Sequence, residues 1–195
     1  LGITRAIWEE RGIDTLRRYY APDLIVRSPA SVVAGAEGIV AATLATLAEF
    51  PDRQLPGEDV IWCWADAERS AFLSSHRLLC PGMYGASTGR RLTYRILADC
   101  FCAGNQVRDE WLVRDQSAIV AQMGAGLVEW TRDLIAREGG PEACVRPFAP
   151  DRDIPGPYRG AGDDDPWGEE LAGVLAAIMA ADLAVIPRAY DRAVE

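Results

Sequence analysis

His76 is the one histidine in the chain, so any imidazole-dependent chemistry must run through it. On the β-rich run 70–80 it shares a strand face with Phe72, Ser74, Leu78 and Cys80. That face suits a hydrogen-bonded core histidine as well as a catalytic one. Asp115 closes the series Val107, Asp109, Trp111, Val113, Asp115, alternate residues that a regular strand turns to one side. A mostly apolar face ending in carboxylates could line a pocket, where burial would raise an aspartate enough to trade protons near neutral pH. The same aspartate precedes Gln116-Ser117-Ala118-Ile119-Val120, where it would serve equally as a helix N-cap. Both roles stand open. Used together, His76 and Asp115 would make a minimal acid–base pair, of a kind that contributes ~10²–10⁴ in rate.

Other residues could shape a site around that pair. Trp62, Trp64 and Trp111 could form an aromatic wall for a ring-containing ligand, or fill the core between sheet and helices. Asp109, Tyr19, Phe72 and Phe101 complete the expected pocket lining. Cys100 and Cys102 share a strand face without further ligands nearby, which fits buried small side chains rather than a zinc site. Glu110 has the opposite parity to Asp115, so it is expected to point outward and to pair with Arg95 or Arg108. The stretch 82–89 is too scattered to cradle phosphate and reads as a hairpin loop that could cover the pocket mouth.

Composition narrows the chemistry. The 195 residues carry a net charge of −9, and all twenty basic side chains are arginine. Without lysine there is no Schiff-base or pyridoxal attachment and no Walker-type phosphate loop. With one histidine there is no multi-histidine metal site, and no metal or cofactor is expected. The acidic balance argues against nucleic-acid partners and against anionic membranes. No signal peptide is visible, and the most apolar window, 171–186, contains Asp182 and is short of the ~20 residues of a membrane span. The chain begins at Leu1 rather than methionine, so a preceding segment is expected. Five cysteines in an odd, unpaired pattern suit a reducing, cytoplasmic setting.

These residues need elements to hold them. Apolar spacing predicts a short helix from Ile3 to Gly12, then a second from an Asp14 cap through Leu16, Tyr19 and Tyr20 to Pro22. A short strand follows at 24–26 and a third helix at 37–50. Four β-rich runs occupy 60–65, 70–80, 91–102 and 106–113, the last two joined by the hairpin signal Gly104-Asn105. Two helices come next. Residues 139–168 hold six of the twelve prolines and six of the eighteen glycines, a linker composition. Residues 169–195 are helical, and Ala177-Ile178, Arg188 and Tyr190 echo Ala6-Ile7, Arg17 and Tyr19 at constant offset. The domain reading is therefore 1–138 as the principal domain, 139–168 as linker, and 169–195 as a helical segment. That segment is either a lone helix or the start of a truncated second copy.

The order of elements resembles the nuclear transport factor 2-like fold, and its details resemble the SnoaL-like branch of polyketide cyclases and so-called ester cyclases. The matching residues are Gly35-Ala36-Glu37-Gly38-Ile39, Phe50-Pro51-Asp52, Ser75-His76, Gly85, Thr88-Gly89-Arg90, and Val107-Arg108-Asp109-Glu110-Trp111 through Asp115 to Ala121-Gln122-Met123-Gly124. The resemblance spans residues 3 to about 125. It implies that Asp115 is the general acid/base of an intramolecular aldol closure, assisted by a histidine on the preceding strand. Here that strand offers Asp99, Cys100, Phe101 and Cys102, so His76 would have to supply the imidazole from another strand.

The expected architecture is α+β, a cone-shaped, curved antiparallel sheet wrapped around helices, with the linker and C-terminal helix appended. The cone would enclose an apolar cavity for a small hydrophobic molecule. The expected function is cofactor-free acid–base catalysis on a small carbonyl compound, with cyclisation, isomerisation, dehydration and hydrolysis all open. The alternative is a non-catalytic ligand-binding or dimerisation module on the same scaffold. A homodimer, or a pseudo-dimer within one longer chain, is expected through the outer sheet face.

Overall fold

The chain is described from a computed structural model, which covers residues 2–84, 86–87, 89–146, 148–158 and 166–192. It divides into two compact units, Leu1–Tyr158 and Arg159–Glu195. The first opens with α1 (Gly2–Trp8) and α2 (Asp14–Tyr19), followed by β1 (Tyr20–Ser28), β2 (Ser31–Ala34) and α3 (Ala36–Glu49). Then come β3 (Gly57–Ala65), β4 (Arg69–Cys80), the two-residue pair β5 (Met83–Tyr84) and β6 (Ala86–Ser87), β7 (Leu92–Ala103) and β8 (Gln106–Arg114). Helices α4 (Gln116–Gln122) and α5 (Leu127–Arg137) end the regular part. The stretch expected as a lid includes Gly85 and Thr88, which lie outside the described residues.

Six strands form one sheet in the order β2-β1-β8-β7-β4-β3. The fold is α+β, as expected, with one departure from a wholly antiparallel sheet: β1 and β8 run parallel. Long β4 and β7 pair over twelve residues each, from Arg69↔Ala103 to Cys80↔Leu92. The β7–β8 hairpin turns on Gly104 and Asn105, both with φ near +60°, which a two-residue turn of the primed type requires. Tyr20 begins a strand instead of ending a helix, and Pro22 is tolerated inside β1 because the β1–β8 register slips between Tyr20 and Ile25. Asp14 is not a cap: Ile13 holds that position with no side-chain cap bond, and Asp14 pairs with Arg17.

The core lies on the concave side of the sheet. Leu78, Cys80, Leu92, Tyr94 and Ile96 pack with Phe50, Leu55 and Ile119 at one end. Leu24, Val26, Ala98, Cys100 and Val107 pack with Ala36 at the other, while Ile7, Leu16 and Val40 join α1, α2 and α3 over the middle. Gly38 lets α3 approach β2, since a Cβ there would lie 2.7 Å from Val33 Cγ1. The opposite face of β1, β8 and β7 is covered by residues 148–158. Phe148 meets Trp111 edge-on, Tyr158 stacks on Phe101 at 5.7 Å, and Arg27 bridges Asp109 and Asp153. Residues 148–158 of the expected linker therefore pack as a strap on the first unit. Strand β3, at the sheet edge, leaves Val60, Ile61, Trp62 and Trp64 exposed.

The second unit holds α6 (Pro166–Met179), a 3-10 turn at Leu183–Val185 and α7 (Ile186–Ala189). The echoing residues Ala177-Ile178 fall in α6 and Arg188 in α7, as Ala6-Ile7 fall in α1 and Arg17 in α2. Leu171, Leu175, Met179 and Leu183 are exposed. No described helix is long and apolar enough to cross a membrane.

Candidate active site

A cavity of about 220 Å³ opens on the concave face, walled by the sheet and closed by α1, α2 and α3. The cross-strand register arranges its wall in rows. Phe72, Cys100, Glu110 and Val26 stand side by side; Ser74, Ala98 and Leu112 form the next row; His76, Ile96 and Arg114 form the third. Ile7, Leu16, Ile39 and Thr43 face them from the helices. The lining is chiefly apolar, with a few polar groups converging on it, the usual composition of a small-molecule site.

Glu110 is the outstanding group. Only 7 % of it is exposed, and burial pushes its carboxyl up to about 7, against the opposing pull of the Tyr20 hydroxyl and the Arg114 charge. Tyr20 lines the same cavity, and its hydroxyl lies near enough to that carboxylate to favour the charged form. Its own phenol is pushed well above its ordinary value, first by burial and then by the Glu110 charge, so it stays a donor. His76 is buried as well. Its Nε2 lies 3.1 Å from Ser74 Oγ, and its Nδ1 has no hydrogen-bond partner among the described residues. Desolvation holds the imidazole below its ordinary value, so it is neutral at pH 7.

Of the residues expected at the site, His76 and Phe72 line the cavity. Asp115 does not. It caps α4, accepting from Ala118 N at 2.8 Å and from the Ser117 hydroxyl at 2.7 Å. Those bonds, the Ala118 N–H first, hold its carboxyl below the usual aspartate value, and the side chain is exposed. Asp109 and Trp111 lie on the other face of the sheet, where Asp109 pairs with buried Arg27 and the same guanidinium sits 5.2 Å from the Trp111 ring. Phe101 is on that face too, under Tyr158. Trp62 and Trp64 are on the exposed edge strand, and Tyr19 packs beside the Arg18 guanidinium outside the cavity lining.

A single irregularity explains the displacements on β8. Cys102 pairs with Val107 and Phe101 with Asp109, so β8 carries one extra residue, Arg108, against β7. The bulge reverses the parity of everything after it. Val107 faces inward, and beyond the bulge it is Glu110, Leu112 and Arg114 that line the cavity. Glu110 therefore points in, contrary to the outward ion pair expected of it; Arg95 pairs with Glu58 and Arg108 with Asp23 instead. One signal was available: Asp109 and Glu110 are adjacent, so whichever way a covered strand is turned, one carboxylate must face in. Sequence pattern alone does not single out Tyr20, Arg53 or Arg114, the first because its spacing places it at a helix end. Among the described residues no three His, Cys, Asp or Glu side chains cluster as metal ligands.

Comparison with solved structures supplies the fold. A candidate polyketide cyclase from Acidithiobacillus ferrooxidans aligns with a TM-score of 0.51 at 20% identity, covering 63% of this chain and 89% of that one. A candidate SnoaL-like polyketide cyclase from Jannaschia sp. CCS1 aligns at 0.50 and 16% identity, covering 64% and 91%. A Catenulispora acidiphila protein with a ketosteroid isomerase-like fold, solved with trimethylamine, aligns at 0.50 and 14% identity over 64% and 92%. This chain has the SnoaL-like, nuclear transport factor 2-like fold. No family model and no curated protein matches its sequence. At these identities the SnoaL-like likeness concerns architecture, and the chemistry must be argued from the cavity.

Proposed function

We propose that the cavity is the active site of a cofactor-free acid–base enzyme acting on a small, largely apolar carbonyl compound. The observation that carries the proposal is Glu110: a carboxyl buried against an apolar cavity, beside Tyr20, and raised to about 7. A group with that value divides between acid and base near neutral pH, the condition for efficient proton transfer. Asp115 lacks both the burial and the raised value, so we place the proton-transfer role on Glu110 rather than on Asp115.

As a carboxylate, Glu110 would remove a proton from the carbon next to the substrate carbonyl. The C–H electron pair moves into the new C=C bond, the carbonyl π pair moves onto oxygen, and Glu110 is left as the acid. With a β,γ-unsaturated carbonyl, returning the proton to the γ carbon of the dienolate completes an isomerisation. Attack of the enolate carbon on a second carbonyl, whose oxygen takes the proton back from Glu110 as the alkoxide forms, completes a cyclisation, the reaction class named for two of the structural neighbours. His76 lies two rows further along the wall, so a substrate would span the Ser74–Ala98–Leu112 row between them. The neutral ring, with Nε2 held beside Ser74 Oγ, would form the far wall of the substrate site. The cavity is smaller than the ~300–1,000 Å³ typical of sites for drug-sized ligands, which favours a compact substrate over a multi-ring one.

The test is deuterium exchange at the α-carbon of cyclohexanone and 2-cyclohexenone, followed by NMR in D₂O. Exchange above the buffer rate in wild type, falling at least ~100-fold in Glu110→Gln, is expected. Binding of the probes without exchange would favour the non-catalytic ligand-binding reading. Self-association is part of the proposal, supported by the exposed apolar side chains of β3.

A further inference from the structure

Arg53 follows α3 and lines the cavity with 3 % of its surface exposed. A buried guanidinium is ordinarily held by a carboxylate, because an unpaired buried charge is costly. Arg53 has none among the described residues. Its Nε makes no hydrogen bond among the described residues, and the Trp8 ring lies 3.9 Å from the guanidinium carbon. Of the neighbouring acids, Glu9 Oε1 accepts from Leu55 N and Asp52 Oδ2 from Gly82 N, while Asp52 Oδ1 is buried with no hydrogen bond among the described residues and makes no ion pair with Arg53. The charges that act on Arg53 include two further cations, Arg114 and Arg11, and desolvation lowers its own value to about 10, still protonated at pH 7. The nearby Tyr94 hydroxyl is likewise buried without a partner.

We propose that Arg53, with Arg114 beside it, forms an anion subsite in the cavity, and that the substrate carries a carboxylate held there while its carbonyl reaches Glu110. A carboxylate in the cavity would supply the counter-charge that the Arg53 guanidinium lacks, and two guanidinium groups suit its paired oxygens. Arg114 stands four residues from Glu110 on the same face of β8, about 13 Å along the strand. Both line the one cavity and the Arg114 charge acts on Glu110, so a short oxo-acid would span the gap. The substrate class thus narrows to small keto acids or their enol forms. This inference rests on the reading of the cavity as the active site.

The experiment is calorimetric titration of the full chain with hexanoate and with hexanamide, a pair that differs in charge and little in size. Hexanoate is expected to bind at least ten times more tightly than hexanamide. Arg53→Met, which keeps the stem on Trp8, should bring the two within twofold. Arg53→Lys, with charge but no planar fork, should retain an intermediate preference and serves where Arg53→Met folds poorly. Equal affinities in wild type, binding of neither probe, or a preference that survives Arg53→Met would each overturn the subsite. Failure of the acid–base reading is separately visible. A Glu110 carboxyl that titrates near 4.5 by infrared difference spectroscopy, with the hexanoate preference intact, removes the proposed chemistry and leaves the subsite.

Discussion

Glu110→Gln should make the protein more stable, and only above the ordinary carboxylate range. The folded protein holds the Glu110 carboxyl at about 7, against 4.5 for the free group, mainly through burial. Below pH 4.5 the group is protonated in both folded and unfolded chains, and it adds no pH-dependent cost. Between 4.5 and about 7 the unfolded chain releases this proton while the folded chain keeps it, so stability falls as pH rises. Above 7 the full cost is present, roughly 3 kcal/mol at 1.36 kcal/mol per unit, as an order of magnitude. Glutamine keeps the acceptor for the Tyr20 hydroxyl and cannot ionise. The variant should therefore match wild type within about 1 kcal/mol at pH 4.5 and exceed it by roughly 2–3 kcal/mol at pH 8. Asp99 and Asp109, also raised chiefly by burial, titrate in both proteins and cancel from the difference. Urea unfolding followed by tryptophan fluorescence at pH 4.5, 6 and 8 measures it. A difference that does not change with pH, or a variant less stable at pH 8, would refute a buried and raised Glu110.

Three further outcomes follow from the geometry. Asp115→Ala should cost about 1 kcal/mol of stability through loss of the α4 cap, while leaving α-proton exchange within twofold of wild type; a collapse of exchange would return the proton-transfer role to Asp115. Gly156→Ala should loosen the strap, because its Cβ would lie 2.1 Å from Asp109 Oδ2 and 2.9 Å from an Arg27 nitrogen; limited proteolysis should then cut within 148–158, with stability down by about 1–3 kcal/mol. Trp64→Glu should convert a dimer to a monomer in sedimentation velocity if β3 is the contact; a monomeric wild type would contradict self-association.

The arrangement of elements was legible because it rests on local signals. Gly104-Asn105 specified the β7–β8 hairpin, since glycine and asparagine tolerate the positive φ that its turn needs. The long runs 70–80 and 91–102 became β4 and β7 with nearly the expected ends. The inward faces of β4 were also readable, and they put Phe72 and His76 on the cavity. The linker was legible only as composition. Nothing in its prolines and glycines announced that 148–158 would lay Phe148, Asp153 and Tyr158 on the back of the sheet.

The site itself turned on a quantity that single residues do not encode. One strand's alternation states that its two faces differ, and not which face meets the helices or where the alternation slips. The extra residue at Arg108 exists only in the pairing of β8 with β7, and it alone exchanges Asp109 and Trp111 for Glu110 and Leu112 on the cavity wall. Likewise, the unpaired state of Arg53 is a statement about distant side chains that fail to reach it. Sequence by itself determined the α+β elements, their order and the single available imidazole. Tertiary pairing decided which carboxylate lost its water, because burial, and with it the carboxyl's proton affinity, belongs to the packed sheet and not to the residue.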